Sequence, residues 1–313
     1  MKIDIFAHIF PERCKEAILE KSETGSEFPT PAVFKNRAVG DLEMRLRIMS
    51  RQPDVLQVLT VSNLHLTTLF TPDVAAELSR ITNDELAKLV ATYPDKFIAA
   101  VACLPLSDMD AALEETDRAI TQLNFKGIEI YTNVNGEHLD IPAFRPLFEK
   151  MVNYNLPIWI HPSVDKKPSE GVFGWPYETA ATMLQLVSAG IFNDYPEIKF
   201  IIHHCGSMAP FFEGRIRWLL PLSLGDGHPV RDPVEHFRKF YADTAVYGTT
   251  AALMCGYDFF GVDHLLFGTD APMGPEYGLT VDTINCVNSM GIPDVEKEKI
   301  FEQNAVKLLR LAI

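Results

Sequence analysis

The chain has few cysteines, and the 313 residues contain no closely spaced pair of them. The five are odd in number and far apart, namely Cys14, Cys103, Cys205, Cys255 and Cys286. Neither a disulfide framework nor a thiolate zinc site is therefore indicated. Long apolar runs are also missing, since none approaches the ~18 residues that a membrane span needs. Basic residues are outnumbered, and a formal charge of −14 argues against a nucleic-acid surface or a basic membrane patch.

The first residues give no sign of a secretory leader, because Asp4 stands where such a leader has its apolar segment. Together with the unpaired cysteines, this predicts a soluble protein of a reducing compartment, the cytoplasm. An anionic substrate would need a locally basic pocket inside this acidic molecule.

A glycine-rich Gly-x-Gly-x-x-Gly turn is lacking as well, which argues against a doubly wound, dinucleotide-binding sheet. Short apolar strands instead alternate with amphipathic helices. Eight strands are predicted, at residues 2–8, 55–61, 97–103, 126–130, 157–161, 199–204, 240–243 and 265–268. This alternation predicts an α/β fold with one (β/α)₈ TIM barrel domain over residues 1–313.

A polar segment between the first strand and the next helix interrupts the pattern. Residues 21–39 are predicted to form a long loop, and a loop of this length is more often a lid or a pocket wall than a spacer. The helix that follows is predicted to begin after Asp41 as its N-cap. On that helix, Arg45 and Arg47 are expected to lie on a solvated face.

Polar side chains stand at the ends of four predicted strands. His8 ends the first strand, His161 the fifth and His204 the sixth. Asp270 follows the eighth strand. The carboxyl ends of barrel strands meet at one open face, so we expect these side chains to converge. Three imidazoles and a carboxylate suit a divalent metal ion and a general acid/base, although each residue alone is readily explained as structural.

Neighbouring residues of a strand point to opposite faces, which bears on the residues beside His204. We therefore expect His203 to be a structural residue on the outer face of the barrel. For the same reason, His204 and Cys205 are not expected to form a nucleophilic pair. Asp4 and Asp243 are expected to orient the groups that bind the ion.

Longer motifs carry a resemblance to a known family. They are Ile160-His161-Pro162, Gly174-Trp175-Pro176-Tyr177-Glu178-Thr179, His204-Cys205-Gly206-Ser207 with Gly214-Arg215-Ile216, and Gly268-Thr269-Asp270-Ala271-Pro272. On these motifs the chain resembles the amidohydrolase-related (amidohydrolase 2) decarboxylases and hydrolases, which include aminocarboxymuconate-semialdehyde decarboxylase and γ-resorcylate decarboxylase. The likeness extends over essentially the whole chain and implies a TIM barrel of the metal-dependent hydrolase type.

The resemblance implies a divalent metal ion and its ligands. His8, His161 and Asp270 occupy ligand positions, with zinc as the first expectation and manganese or magnesium as alternatives. Position 6 departs from the family, because Phe6 stands where a histidine or glutamate ligand is usual. A site without metal is therefore the alternative.

The resemblance also implies residues that act on the substrate. His204 would be the acid/base, with Asp270 beside it. Arg215 would bind a substrate carboxylate, in some family members that of a neighbouring subunit. Trp175 is expected at the rim of the pocket.

The implied activity is decarboxylation of a small unsaturated or aromatic carboxylic acid, with the ion holding substrate or water. Hydrolysis of a C–C or C–N bond, or hydration of a double bond, would use the same groups and remains an alternative. A metal-free ligand-binding protein or pseudoenzyme is an alternative of another class. The expected partners are a small anionic substrate and further copies of the chain, because family members are often dimers or higher homo-oligomers.

Overall fold

The computed structural model describes residues 1–21, 37–61, 66–163, 170–274 and 278–312. Most of the loop predicted over residues 21–39, namely residues 22–36, lies outside the described residues. The prediction was wrong for its two ends, because Lys21 ends one helix and Arg37 begins another. The strands are β1 (Lys2–His8), β2 (Val55–Thr60), β3 (Phe97–Ala100), β4 (Ala102–Cys103), β5 (Ile128–Tyr131), β6 (Asn133–Val134), β7 (Glu137–His138), β8 (Ile158–His161), β9 (Phe200–Ile202), β10 (Tyr241–Asp243) and β11 (Leu265–Leu266).

The α-helices surround these strands. They are α1 (Glu12–Lys21), α2 (Arg37–Gly40), α3 (Leu42–Met49), α4 (Leu66–Leu69), α5 (Pro72–Thr92), α6 (Met109–Thr121), α7 (Arg145–Tyr154), α8 (Trp175–Ser188), α9 (Ile191–Asp194), α10 (Glu213–Leu224), α11 (Pro233–Phe237), α12 (Thr250–Phe260), α13 (Thr280–Asn288), α14 (Asp294–Glu298) and α15 (Asn304–Leu309). In the described part of the chain, no helix is long and apolar enough to cross a membrane.

The parallel strands close into a barrel. One sheet has the order β1-β2-β3 and the other has the order β11-β10-β9-β8-β5-β4. The two sheets join where β3 and β4, which are two parts of one barrel strand, are interrupted at Val101. The barrel closes where β1 meets the segment after β11. At this closing seam Ala7 forms a bridge with Ala271, and Ile5 N–H donates a 2.9 Å hydrogen bond to the carbonyl oxygen of Phe267. The predicted (β/α)₈ barrel is confirmed. The single-domain organisation over residues 1–313 stays a prediction.

Side chains from several barrel strands fill the inside of the barrel. Trp159 on β8 is fully buried there among aliphatic side chains such as Ile3 and Val58. Its indole N–H donates to the carbonyl oxygen of Ile5 at 3.0 Å, which ties β8 to β1 across the interior. Gly127 leaves room for the indole, because a Cβ at that position would come within 2.5 Å of the ring. The barrel is therefore a packed core with its open face at the strand ends.

The sixth barrel strand is shorter than predicted. β9 ends at Ile202, and the backbone then turns, with φ values of 55° at both His204 and Cys205. A left-handed conformation at two successive non-glycine residues is incompatible with a continuing strand. A π-turn at Lys299–Gln303 separates α14 from α15 at the end of the chain.

Arg45 connects α3 to the first two strands. Asp41 caps this helix as predicted, since its side chain accepts a hydrogen bond from Met44 N–H at 2.9 Å. Arg45 is only 1% exposed, and its guanidinium donates to Gln57 Oε1 and, at 3.2 Å, to the carbonyl oxygen of His8. The expectation of a solvated face was therefore wrong for Arg45, because its donors find acceptors on β1 and β2. Arg47 is exposed, as expected.

We predict that Arg45→Ala lowers the free energy of unfolding by about 3 kcal/mol, because it leaves buried acceptors without their charged donor. Arg47→Ala, on the same helix, is the matched control and should stay within about 0.5 kcal/mol of the parent chain. Urea unfolding followed by circular dichroism measures both. Equal effects of the two variants would contradict the structural role assigned to Arg45.

Candidate active site

Three imidazoles and one carboxylate meet at the mouth of the barrel and form the histidine–aspartate cluster, which consists of His8, His161, His203 and Asp270. Each of the three histidines His8, His161 and His203 offers one ring nitrogen, and these three nitrogens lie within 4.8 Å of one another. Asp270 Oδ1 is 3.0 Å from His8 Nε2 and 3.4 Å from His203 Nε2. All four residues are buried. The structure thus brings together His8, His161 and Asp270, as predicted, and adds His203.

Oxygen atoms behind the rings fix how His8 and His161 are turned. His8 Nδ1 is hydrogen-bonded to the Thr60 hydroxyl at 2.7 Å, and His161 Nδ1 to the carbonyl oxygen of Pro162 at 2.8 Å. A partner on Nδ1 selects the tautomer and leaves Nε2 as the ligand atom. These two rings are therefore arranged as metal-bound histidines commonly are.

His203 lies inside the barrel mouth, and the prediction that it lies on the outer face was wrong. Its ring stacks on Phe6 with a centroid distance of 3.9 Å and an interplanar angle of 13°. Its Nδ1 is hydrogen-bonded to the carboxylate of Asp243 at the end of β10. The strict strand alternation that we assumed ends at Ile202, so it does not govern His203. In the sequence, a histidine just beyond one strand and an aspartate at the end of the next strand could have indicated this pair.

His204 stands on the more open side of the cluster. Its side chain is 12% exposed, and its Nε2 lies 3.9 Å from Asp270 Oδ2. The same carboxylate oxygen accepts a hydrogen bond from the Tyr247 hydroxyl at 2.7 Å, a contact that the sequence did not suggest. Asp270 thus presents Oδ1 to the imidazoles of His8 and His203, and Oδ2 to His204 and Tyr247.

Burial decides the protonation of three of the histidines. It lowers the pKa of His8 and lowers that of His161 well below its ordinary value. Burial and the neighbouring His203 lower the pKa of His204 to about 4. All three rings are therefore neutral at pH 7.

At His203 and Asp270, neighbouring groups of opposite charge outweigh the effect of burial on the pKa. Burial alone would lower the pKa of His203, but Asp243 and Asp270 outweigh it and raise that pKa to about 10. Burial would likewise raise the pKa of Asp270, yet His203 and His8 hold it well below its usual value. Asp270 is therefore ionised in a dry site.

The residues present fit a divalent cation. The Nε2 atoms of His8 and His203 are buried and have no hydrogen-bond partner, although Asp270 Oδ1 is close to both. Buried polar atoms in native proteins are rarely left without a partner, and a bound ion can serve as that partner. The neutral imidazoles of His8 and His161 and the ionised carboxylate of Asp270 are also in the ligand states that metal binding requires.

The two residues predicted to bind the substrate lie on helices. Arg215 is exposed on α10, and Trp175 is half-buried in the first turn of α8. Their roles in substrate binding stay predictions. Cys205 is buried, and burial raises the pKa of its thiol, which agrees with the rejection of a nucleophilic pair.

Comparison with known proteins places the chain in a family. A family model described as Amidohydrolase matches residues 35–311. The chain belongs to the amidohydrolase family. The 6-methylsalicylic acid decarboxylase of Penicillium expansum is 28% identical over 249 residues, which cover 76% of each chain. The γ-resorcylate decarboxylase of Rhizobium sp. is 27% identical over 302 residues, which cover 89% of this chain and 90% of the relative.

A relative with another reaction also matches. The 2-keto-4-carboxy-3-hexenedioate hydratase of Sphingobium sp. is 29% identical over 248 residues, which cover 74% of this chain and 71% of the relative. All three relatives are enzymes, and we conclude that this amidohydrolase is an enzyme too. The non-catalytic alternative is thereby set aside.

Solved structures share the whole fold. The 5-carboxyvanillate decarboxylase from Sphingomonas paucimobilis superposes with a TM-score of 0.83 at 23% identity, covering 100% of this chain and 99% of the other. A dihydroxybenzoic acid decarboxylase from Polaromonas sp. has a TM-score of 0.80 at 22% identity, covering 99% and 96%. That second structure holds manganese and the inhibitor 2-nitroresorcinol.

Glu129 is a buried acid near the cluster that the sequence analysis missed. It precedes Tyr131 by two residues on β5, and the Tyr131 ring meets that of His161 edge-on at 5.8 Å, so Glu129 also faces the barrel interior. Glu129 Oε2 accepts from Val61 N–H at 3.3 Å, whereas Oε1 has no hydrogen-bond partner. Burial raises its pKa to about 8, and it lines a pocket together with Cys103 and Tyr131. An acid between two isoleucines was the sequence signal.

We predict that Glu129→Gln makes stability less dependent on pH. The carboxyl holds its proton more tightly in the folded chain, so its contribution to the free energy of unfolding is complete below about pH 4.5 and is lost as the pH rises through about 8. Glutamine has no such proton. Over that window the parent chain should lose on the order of 1 kcal/mol per pH unit relative to the variant. Urea unfolding at several pH values measures this, and parallel curves would contradict the assigned pKa.

Proposed function

We propose that this amidohydrolase is a metal-dependent lyase that removes CO₂ from a small aromatic or unsaturated carboxylic acid. The observation that carries the proposal is the convergence of an ionised Asp270 with the neutral imidazoles of His8 and His161, beside the partly open His204. The decarboxylases among the relatives support the choice of reaction.

The ligands proposed for the ion are His8, His161 and Asp270. When bound, a divalent ion would polarise the substrate carboxylate and an adjacent oxygen. Zinc is our first candidate because imidazole and carboxylate ligands suit it. Manganese, which a structural neighbour holds, is the second, and magnesium the third.

The proton steps fall to His204 and Asp270. Loss of CO₂ leaves an electron pair on the carbon that carried the carboxylate, and a proton must be delivered there. His204 is neutral at pH 7 and sits at the open side, so its Nε2 would first take up a proton from a substrate hydroxyl or from water and then give it to that carbon. Asp270 Oδ2, 3.9 Å from this nitrogen, stabilises the imidazolium that forms.

Two predicted residues would bind the substrate. Arg215 offers a guanidinium that suits the carboxylate of a small anion, and Trp175 offers an aromatic face at the pocket rim. Arg215 lies on an exposed helix, so we propose that it acts on a substrate bound in a neighbouring copy of the chain. The cytoplasmic location expected from the sequence likewise stays a prediction.

Hydration of a double bond is the second candidate. A relative that is named as a hydratase, at 29% identity, favours it over hydrolysis of a C–C or C–N bond. The same imidazoles and carboxylate would then take a proton from water as its oxygen adds to one carbon of the double bond, and a proton would be delivered to the other carbon. The two reactions give products that differ by the loss of CO₂ or the gain of water.

The apolar surface of α10 supports a homodimer or a higher homo-oligomer. Only Leu220 of this helix is buried, whereas Trp218 is 73% and Leu222 is 79% exposed. Phe211, just before the helix, is 78% exposed. Large apolar side chains grouped on a surface mark an interaction site. We propose that a second copy of the chain covers this face.

The variant Trp218→Ser/Leu222→Ser is expected to shift the protein toward the monomer, because it removes apolar contact area from the proposed interface. Sedimentation velocity at several concentrations measures the change. Leu19→Ser is the control, since Leu19 is 54% exposed on the distant helix α1. A parent chain that sediments as a monomer at every concentration would end this proposal.

We predict CO₂ release when the metal-loaded enzyme is given a panel of hydroxybenzoates and muconate-like acids. Mass spectrometry of the products separates decarboxylation from hydration and hydrolysis. Removal of the ion with a chelator should abolish turnover, and adding back zinc or manganese should restore it.

His204→Asn should lower kcat about 10²- to 10⁴-fold because it removes the proposed acid/base. The metal content should be unchanged, which separates loss of the proton carrier from loss of the ion. Products that carry added water and no release of CO₂ would overturn the decarboxylase in favour of the hydratase. Turnover that survives full removal of metal would refute the metal assignment alone.

A further inference from the structure

We propose that His203 is a fourth metal ligand, so that the whole histidine–aspartate cluster holds the cation. This inference rests on the metal site of the proposed function and extends that site by one residue. It does not depend on which reaction the enzyme catalyses.

The separations between donors are those of atoms that share one ion. Two donors that each lie about 2.1 Å from a metal are about 3.0 Å apart at a right angle and about 3.4 Å apart at the tetrahedral angle. Asp270 Oδ1 lies 3.0 Å from His8 Nε2 and 3.4 Å from His203 Nε2. Neither approach meets the geometric criteria of a hydrogen bond, and neither of these buried nitrogens has a hydrogen-bond partner. A cation between them would satisfy all three atoms.

The environment of His203 is that of a positioned ligand. Its Nδ1 is hydrogen-bonded to Asp243, which is itself held by the N–H groups of Cys205 at 3.0 Å and Ala245 at 2.9 Å. A carboxylate on one ring nitrogen turns the other nitrogen toward the metal and makes it a stronger donor. A proton and a cation compete for that Nε2 lone pair, so metal binding would release a proton.

The neighbouring ring of His204 also has a nitrogen within 4.8 Å of donor atoms of His203 and Asp270, but it approaches Asp270 less closely. His204 Nε2 is 3.9 Å from Asp270 Oδ2, and that oxygen already accepts a hydrogen bond from Tyr247. Asp270 Oδ1, which would bind the ion, is the oxygen that faces His203. The geometry therefore separates a ligand, His203, from the more open His204.

Phe6 explains why the fourth donor comes from this side of the site. Its ring lies 5.5 Å from that of His8, 6.1 Å from that of His161 and 3.9 Å from that of His203. Position 6 thus borders the same space but supplies no donor atom. Since the Phe6 and His203 rings are stacked, exchanging the two residues would keep an aromatic pair and move the imidazole to β1.

The experiment titrates Mn²⁺ into the full chain after removal of metal with a chelator, and electron paramagnetic resonance reports the free ion. His203→Phe should bind Mn²⁺ at least 10- to 100-fold more weakly, about the loss that follows even from removing a residue that only supports a ligand. The exchange variant Phe6→His/His203→Phe should recover most of the affinity. His204→Phe is the matched control and should change affinity by no more than about threefold.

A second measurement uses the unmodified chain, in case His203→Phe does not fold. Pulsed electron paramagnetic resonance on the Cu²⁺-loaded protein should detect three coordinated imidazoles, and two in His203→Phe. Two imidazoles in the parent chain, an unchanged affinity in His203→Phe, or no Mn²⁺ binding by the parent chain would each overturn the inference. These titrations contain no substrate, so a failure to release CO₂ would count against the proposed function and leave the ligand assignment standing.

Discussion

The approach of His8 to Asp270 is the constraint on which the active site depends. The two residues come from opposite ends of the chain, and only the closing seam of the barrel brings them together. At that seam Ala7 bridges to Ala271, and His8 N–H donates to the carbonyl oxygen of Ala271 at 2.6 Å. The separation of the reactive side chains is therefore set by main-chain hydrogen bonds, whose geometry varies little. Arg45 adds a further restraint by binding the carbonyl oxygen of His8 from outside the barrel.

Burial then gives these groups their chemical states. In a medium of low polarity an unpaired charge is unfavourable, so isolated imidazoles become neutral and a carboxylate persists only beside a positive partner. The cluster obeys both rules, because His8 and His161 lose affinity for protons while Asp270 keeps its charge next to His203. The aromatic ring of Phe6 and the packed barrel interior below it maintain this dry environment. Charge and packing thus act on the same few atoms.

The sequence predicted the barrel and most of the cluster, because apolar strands that end in histidine or aspartate leave a regular pattern. That pattern works only while the backbone stays extended. His203 was misplaced because β9 ends one residue before it and a left-handed turn follows, which side-chain alternation does not encode. Arg45 was misjudged because its burial depends on acceptors that β1 and β2 supply. Tyr247 reaches Asp270 from a loop, where no periodic pattern exists.

The closing seam also determines when the site can exist during synthesis. The first strand leaves the ribosome early, yet its partner segment around Ala271 emerges only after most of the chain has been made. Contacts between such distant segments form slowly, because a long loop must be closed before they contribute any stabilisation. Until then the apolar edge of β1 has only β2 beside it and is open to pairing with other chains. A nascent or C-terminally truncated chain that ends before this segment would therefore lack the active site altogether.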